Sequence, residues 1–269
     1  MASEDPLRAI YYHGEVVNGN PEGFGTMKYS DGSEFTGMFL DDAPGGLGVL
    51  NGIGDGTMFV GNVSGHRPHG FGVFFHRKNE LGHQPLTLGN FVHGVPDGFQ
   101  ITLSDIDSAA RREIQEFVDG SAVRGWFSDA DTPGGLGVLT NKADGTIFVG
   151  NVSGNGPHGF GVFFPRKTEL GLQPLTLGNF VHGVSDGFQI TLSALDRAAQ
   201  KDIAEVIDGK VAGKGMRTSL GPGHPNPIVP NIFQIIDGEP VFSKEKLFKF
   251  GEFPYYNRIG SLGPRNEDS

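Results

Sequence analysis

The 269-residue chain has no cysteine, one tryptophan and fewer cations than anions, 21 Lys and Arg against 31 Asp and Glu. Without cysteine there is no disulfide, thiolate metal site or cysteine nucleophile, and the redox state of the compartment leaves no mark on the sequence. The charge deficit is uneven. Residues 215–269 hold six basic and six acidic side chains, which leaves 15 basic against 25 acidic in the rest. Such a body repels nucleic acid and anionic headgroups, so no nucleic-acid partner is expected and a membrane-lipid partner is disfavoured. Long apolar runs are missing too, since nothing approaches the ~20 residues of a membrane-spanning helix. MASEDPLRAIYYHG carries acids where a secretory leader has a basic region. The expectation is a cytoplasmic chain, with attachment to the cytoskeleton or a membrane left open.

Glycine is abundant instead, at 44 residues, and comes interleaved with 22 Phe rather than in collagen-like triplets. That composition reads as turn-dense β structure. Sliding the sequence by 89 positions superposes residues 44–120 on residues 133–209 without a gap, about three quarters of them identical. The chain contains a duplicated block. Within each block a shorter unit recurs, as DGSEFTG at 31, DGTMFVG at 55, DGSAVRG at 119 and DGTIFVG at 144. A second glycine cluster follows each, such as PHGFG at 68 and 157 or PDGFQ at 96.

Asp-Gly before alternating residues predicts tight hairpins, because type I′ turns need positive φ at both central positions. Alternation then puts Phe71, Val73 and Phe75 on one face and Gly72 and Phe74 on the other. Gly72 leaves a gap that an aromatic ring of the neighbouring strand can fill. Stacked hairpins bury a continuous seam, as in solenoids.

Two segments read differently. Residues 104–120 and 193–209 place Ile106, Ala109, Ala110, Ile114 and Phe117, or their matches, at helical spacing behind a serine cap, which predicts two short helical insertions. Residues 1–10 read as an arm, residues 11–214 as the repeat array, and residues 215–269 as a Pro/Gly-rich capping segment containing one more hairpin, FQIIDGEPVF.

Chemistry is hard to find. Gly-Phe-Gly is followed by more strand rather than by a helix N-terminus, and no Walker lysine follows it. Neither a Gly-x-Ser-x-Gly elbow nor a His-Glu-x-x-His helix exists, and the matched acids Asp55/Asp144 and Asp97/Asp186 sit beside glycine, where turn aspartates ordinarily sit. No catalytic residue, metal or cofactor is expected. His69 and His158 precede Gly-Phe-Gly in matched turns, as His93 and His182 precede Gly-Val; imidazoles there could ligate a metal or move protons, but a turn histidine held by a backbone hydrogen bond explains them more simply.

The frame aromatic-x-Gly, about ten residues, His-Gly-aromatic-Gly, then Asp-Gly resembles the MORN (membrane occupation and recognition nexus) repeat. YYHGEVVNGNPEGFGTMKYSDG at 11–32 and FVGNVSGHRPHGFGVFF at 59–75 carry the resemblance best, and it extends over roughly residues 11–214. It implies a mostly β fold, an elongated single-layer antiparallel sheet of repeated hairpins curled into a shallow groove. It also implies a scaffold or adaptor, a lipid-targeting module, or the accessory part of an enzyme, and an enzyme with its site in the groove stays open beside these. This chain departs from the frame at Thr87-Leu88-Gly89, Thr176-Leu177-Gly178 and Val123.

The reading favoured by the sequence is a noncatalytic scaffold whose groove takes a peptide or helix of a protein partner. Phe35, Phe59, Phe71, Phe148 and Phe160 are the expected lining, with His69 and His158 beside them. Open strand edges at either end make an end-to-end homodimer a further expectation.

Overall fold

A computed structural model describes residues 8–52, 56–104, 112–118, 121–126, 135–141, 143–154, 156–171, 173–195, 200–220, 228–237 and 239–242. Among the described residues, nineteen antiparallel strands form two sheets, each in strict sequence order. The first sheet begins with β1 (Ala9–Val17), β2 (Asn20–Tyr29), β3 (Glu34–Leu40), β4 (Ala43–Asn51) and β5 (Met58–Ser64). It continues with β6 (Arg67–Phe75), β7 (Leu86–Val92), β8 (Val95–Leu103), β9 (Arg112–Val118) and β10 (Ser121–Trp126). The second begins with β11 (Leu136–Asn141), β12 (Thr146–Ser153), β13 (Gly156–Phe164), β14 (Leu175–Val181) and β15 (Val184–Leu192). It ends with β16 (Lys201–Ile207), β17 (Lys210–Leu220), β18 (Ile228–Ile236) and β19 (Glu239–Phe242).

The protein is therefore mostly β, but it has two sheets where one was expected. They are packed face to face. The expected helical insertions are also corrected: their second halves are the strands β9 and β16, while residues 105–111 and 196–199 lie outside the described residues. In β16 the period is two, with Lys201 and Ile203 buried toward the other sheet, and the hairpin turn follows at Asp208-Gly209. The helical spacing in the sequence ran across a turn into a strand. The expected C-terminal hairpin is present, with Phe233 opposite Phe242 and Ile236 opposite Glu239.

The tight turns are not where Asp-Gly predicts most of them. Positive φ at two successive residues occurs at Asn18-Gly19, Asp41-Asp42, His93-Gly94, His182-Gly183 and Asp208-Gly209. The Asp-Gly pairs at 31 and 144 sit in longer connections, where the aspartate accepts hydrogen bonds from the residue two ahead. Asp31 Oδ1 receives the Ser33 amide at 2.8 Å, and Asp144 Oδ1 the Thr146 amide at 2.9 Å. The Thr146 hydroxyl, which donates to the same oxygen at 2.7 Å, and then the Thr146 amide hold the exposed Asp144 carboxyl below its ordinary pKa. Asp55 and Asp119 lie outside the described residues.

A row of glycines organises each sheet. Gly14, Gly25, Gly37, Gly48, Gly61, Gly72 and Gly89 pair one after another across seven strands, and Gly137, Gly150, Gly161 and Gly178 do so in the second sheet. Aromatic rings cover this row. Tyr12 covers Gly14 and Gly25, Phe35 covers Gly37 and Gly48, Phe59 covers Gly61 and Gly72, and Phe148 covers Gly150 and Gly161. The gap predicted at Gly72 is filled as expected. The row ends on glutamine, where the units depart from the aromatic frame: Gln100 covers Gly89 and Gln189 covers Gly178. Gln100 Nε2 also donates to the Asp97 carbonyl at 3.2 Å.

The opposite face of each sheet makes the shared core. Val49, Val60, Val73, Leu88 and Ile101 form one cross-strand row, each 0% exposed, and Val149, Val162, Leu177, Ile190, Ile203 and Met216 form its counterpart. Each such side chain contributes roughly 1.5–3 kcal/mol through burial.

Candidate functional site

The way the sheets meet follows from the duplication. An 89-residue shift maps β5 onto β12, β6 onto β13 and β7 onto β14. In the structure β6 packs on β13, β5 on β14 and β7 on β12, so each block packs on the other about an internal twofold axis. Phe71 and Phe160, which the shift equates, meet near that axis with ring centroids 5.6 Å apart. The repeated segment is a self-complementary surface closed on its own copy, an isologous interface within one chain.

That geometry relocates the aromatic residues expected to line an open groove. Phe35 and Phe59 are 0% exposed and Phe148 3%, so their rings offer no surface to a partner and serve the sheet's own packing over glycine. Phe71 and Phe160 are half-buried against each other across the sheets. Their contact is expected to show as coupling: in a double-mutant cycle, Phe71→Ala and Phe160→Ala should fall short of additivity by about 0.5–1.5 kcal/mol. Strict additivity in chemical denaturation would place the two rings apart.

The histidines pair within each block. His69 and His158 lie in strands β6 and β13 rather than in turns, and each ring faces a turn histidine, His93 at 5.1 Å and His182 at 5.3 Å between centroids. The His93 amide donates to His69 Nδ1 at 3.5 Å. Among the described residues no group of three or more His, Asp or Glu could hold a metal ion.

At one end the interface turns polar. Lys201 Nζ, on a side chain 1% exposed, reaches Glu34 Oε1 of the other sheet at 3.2 Å, and Lys214 pairs with Glu15 nearby. Burial depresses the Lys201 pKa, and the Glu34 carboxylate opposes that shift. On the same face of β1, burial and then Glu34 raise the Tyr11 pKa. Nothing in β11–β15 carries an equivalent cross-sheet ion pair among the described residues, so these bonds fix which end of one sheet meets which end of the other.

Between the sheets, on the flank of the axis, lies a cleft of about 480 Å³. The first sheet contributes Met38, Gly46, Leu47 and Asn62, and the second Phe160, Asn179, Asp186, Gly187 and Phe188. Each polar group is placed by a local irregularity. Asn62 sits at a register shift in β5 and donates Nδ2 to the Phe71 carbonyl at 3.4 Å, while Asn179 sits at a like shift in β14. Asp186 precedes Gly187, whose φ of 88° carries the chain past the cleft. Phe188 is braced edge-on by Phe24 at 6.2 Å. Shifted by 89, eight of the nine lining residues recur unchanged as Gly135, Leu136, Asn151, Phe71, Asn90, Asp97, Gly98 and Phe99; the exception is Met38. The sequence held a signal for the amides, an Asn directly after the ladder glycine at 62, 90, 151 and 179, but nothing in it told which face would be covered.

The fold and this interface define a repeat protein of stacked hairpins. The MORN repeat family model matches residues 12–34 and 59–77, so the chain carries MORN repeats and the resemblance in the sequence is correct. No curated protein matches the chain.

Proposed function

We propose that the chain is a noncatalytic MORN-repeat scaffold that binds a protein partner through the cleft and rims of its closed double sheet. The observation that carries this is the cleft itself, an apolar recess edged by two amides and a carboxylate, set in a body with ten more acids than bases. Such a surface is matched to a cationic protein segment and opposed to an anionic bilayer. The experiment is a paired measurement. In sedimentation with phosphoinositide-containing vesicles at 0.1 M salt, the protein should stay in the supernatant. In affinity capture it should retain a protein partner that high salt releases. Phosphoinositide-dependent sedimentation without such a partner would overturn the reading in favour of a lipid module.

A further inference from the structure

We propose that the cleft between the sheets receives an arginine side chain of the partner, its stem against the apolar walls and its guanidinium on Asp186. The proposal rests on the protein-partner reading and gives that partner a chemistry. Four apolar side chains, Met38, Leu47, Phe160 and Phe188, make the walls, which suits an aliphatic stem and ring faces for a planar cation. The remaining side chains, Asn62, Asn179 and Asp186, bring acceptor oxygens, and no Lys or Arg lines the cleft to neutralise the carboxylate. Asp186 is half-buried, and its side chain makes no hydrogen bond or ion pair to the described residues. A partly desolvated, unpaired carboxylate beside two aromatic rings favours a cation that is itself weakly hydrated and forked, which is guanidinium rather than ammonium. The charge of the whole body points the same way, since 25 acids against 15 bases before residue 215 steer a basic segment toward this surface. The duplication supplies matched residues for a second such cleft, including Asp97 for Asp186.

The probe is the peptide acetyl-Gly-Gly-Arg-Gly-Gly-amide, with its citrulline analogue as the neutral isostere, titrated into the full chain and followed site by site by NMR. Saturable shifts of the Asn62 and Asn179 side-chain amides are expected with the arginine peptide. Citrulline should bind roughly tenfold more weakly, because the charge-assisted bonds are lost. Asp186→Asn should bring the arginine peptide down to the citrulline level at Asn62 and Asn179 while leaving the thermal midpoint unchanged, since Asp186 braces nothing in the fold. Equal binding of the two peptides, shifts confined to other parts of the molecule, or an unchanged response in Asp186→Asn would each overturn the proposal. If a partner is still captured in those cases, the scaffold reading stands and only the cleft loses its ligand.

Discussion

Replacing Glu34 with alanine is expected to cost about 3–5 kcal/mol of stability, because it leaves a buried lysine without its counter-ion. Lys201 is 1% exposed on its side chain and its ammonium depends on one carboxylate, Glu34 Oε1 at 3.2 Å. The fall should depend on pH in a defined direction. Burial already depresses the Lys201 pKa, and removing Glu34 takes away the charge that opposes this shift. Between the folded pKa and the ordinary 10.5 the unfolded chain binds the extra proton, so the variant gains stability as pH rises through that window. The deficit relative to wild type should therefore narrow from pH 7 toward pH 10. Substituting both partners, as Glu34→Gln with Lys201→Met, should cost far less than Glu34→Ala, since no charge is then stranded. Urea denaturation of the three proteins at two pH values measures this, and a pH-independent deficit in Glu34→Ala would show that Lys201 is not the stranded group.

The duplication changes meaning once the sheets are seen together. Read along the chain, two near-identical blocks suggest the same surface presented twice. Folded, the β5–β7 face of one block is covered by the β12–β14 face of the other, so the duplicated segments meet rather than present two free patches. A twofold contact makes each residue its own neighbour, as Phe71 is of Phe160. The lining of the cleft is likewise built from both copies, Leu47 and Asn62 from one and Phe160 and Asp186 from the other.

Much of the hairpin architecture was legible because it is local. A ladder glycine with an aromatic two residues earlier specifies strand, face and ring placement within a few residues, as Phe59 and Gly61 show. Turn type was less legible. His93-Gly94 and His182-Gly183 take the paired positive φ that Asp-Gly was expected to take, because the loops around Asp31 and Asp144 are long enough for the carboxylate to bond forward instead. The helical reading of residues 193–209 failed where strand pairing overrode it: Ile203 pairs with Ile190 and Met216, and tertiary packing outweighs the helix propensity of Ala204. The second sheet was out of reach, since alternation shows that a face is apolar but not what covers it. That one unknown left Phe71 facing Phe160 across the sheets rather than an open groove, and hid the cleft that Phe160 lines.

The glycine row makes a second large prediction. A Cβ placed on Gly72 would fall 2.2 Å from Phe59 Cζ and 2.9 Å from the Val60 carbonyl oxygen, so neither ring nor backbone can stay where it is. Gly72→Ala should cost about 1–3 kcal/mol through overpacking, a value that strand propensity alone cannot produce, since alanine is favoured over glycine in a strand. Phe59→Ala should cost about 3–5 kcal/mol, because the ring is fully buried and packs edge-to-face on Phe91 at 5.3 Å between centroids. The two changes share one volume. In the double variant the methyl group occupies space the ring has vacated, and the sum of the single effects should overshoot the measured loss by about 1 kcal/mol or more. Gly161 lies under Phe148 in the same way in the second block, so Gly161→Ala should behave alike. Additive losses at both places would mean that the rings do not rest on the glycines. Sub-additive losses at both would establish the aromatic-on-glycine contact as the element that each unit with the aromatic frame contributes to the stability of its sheet.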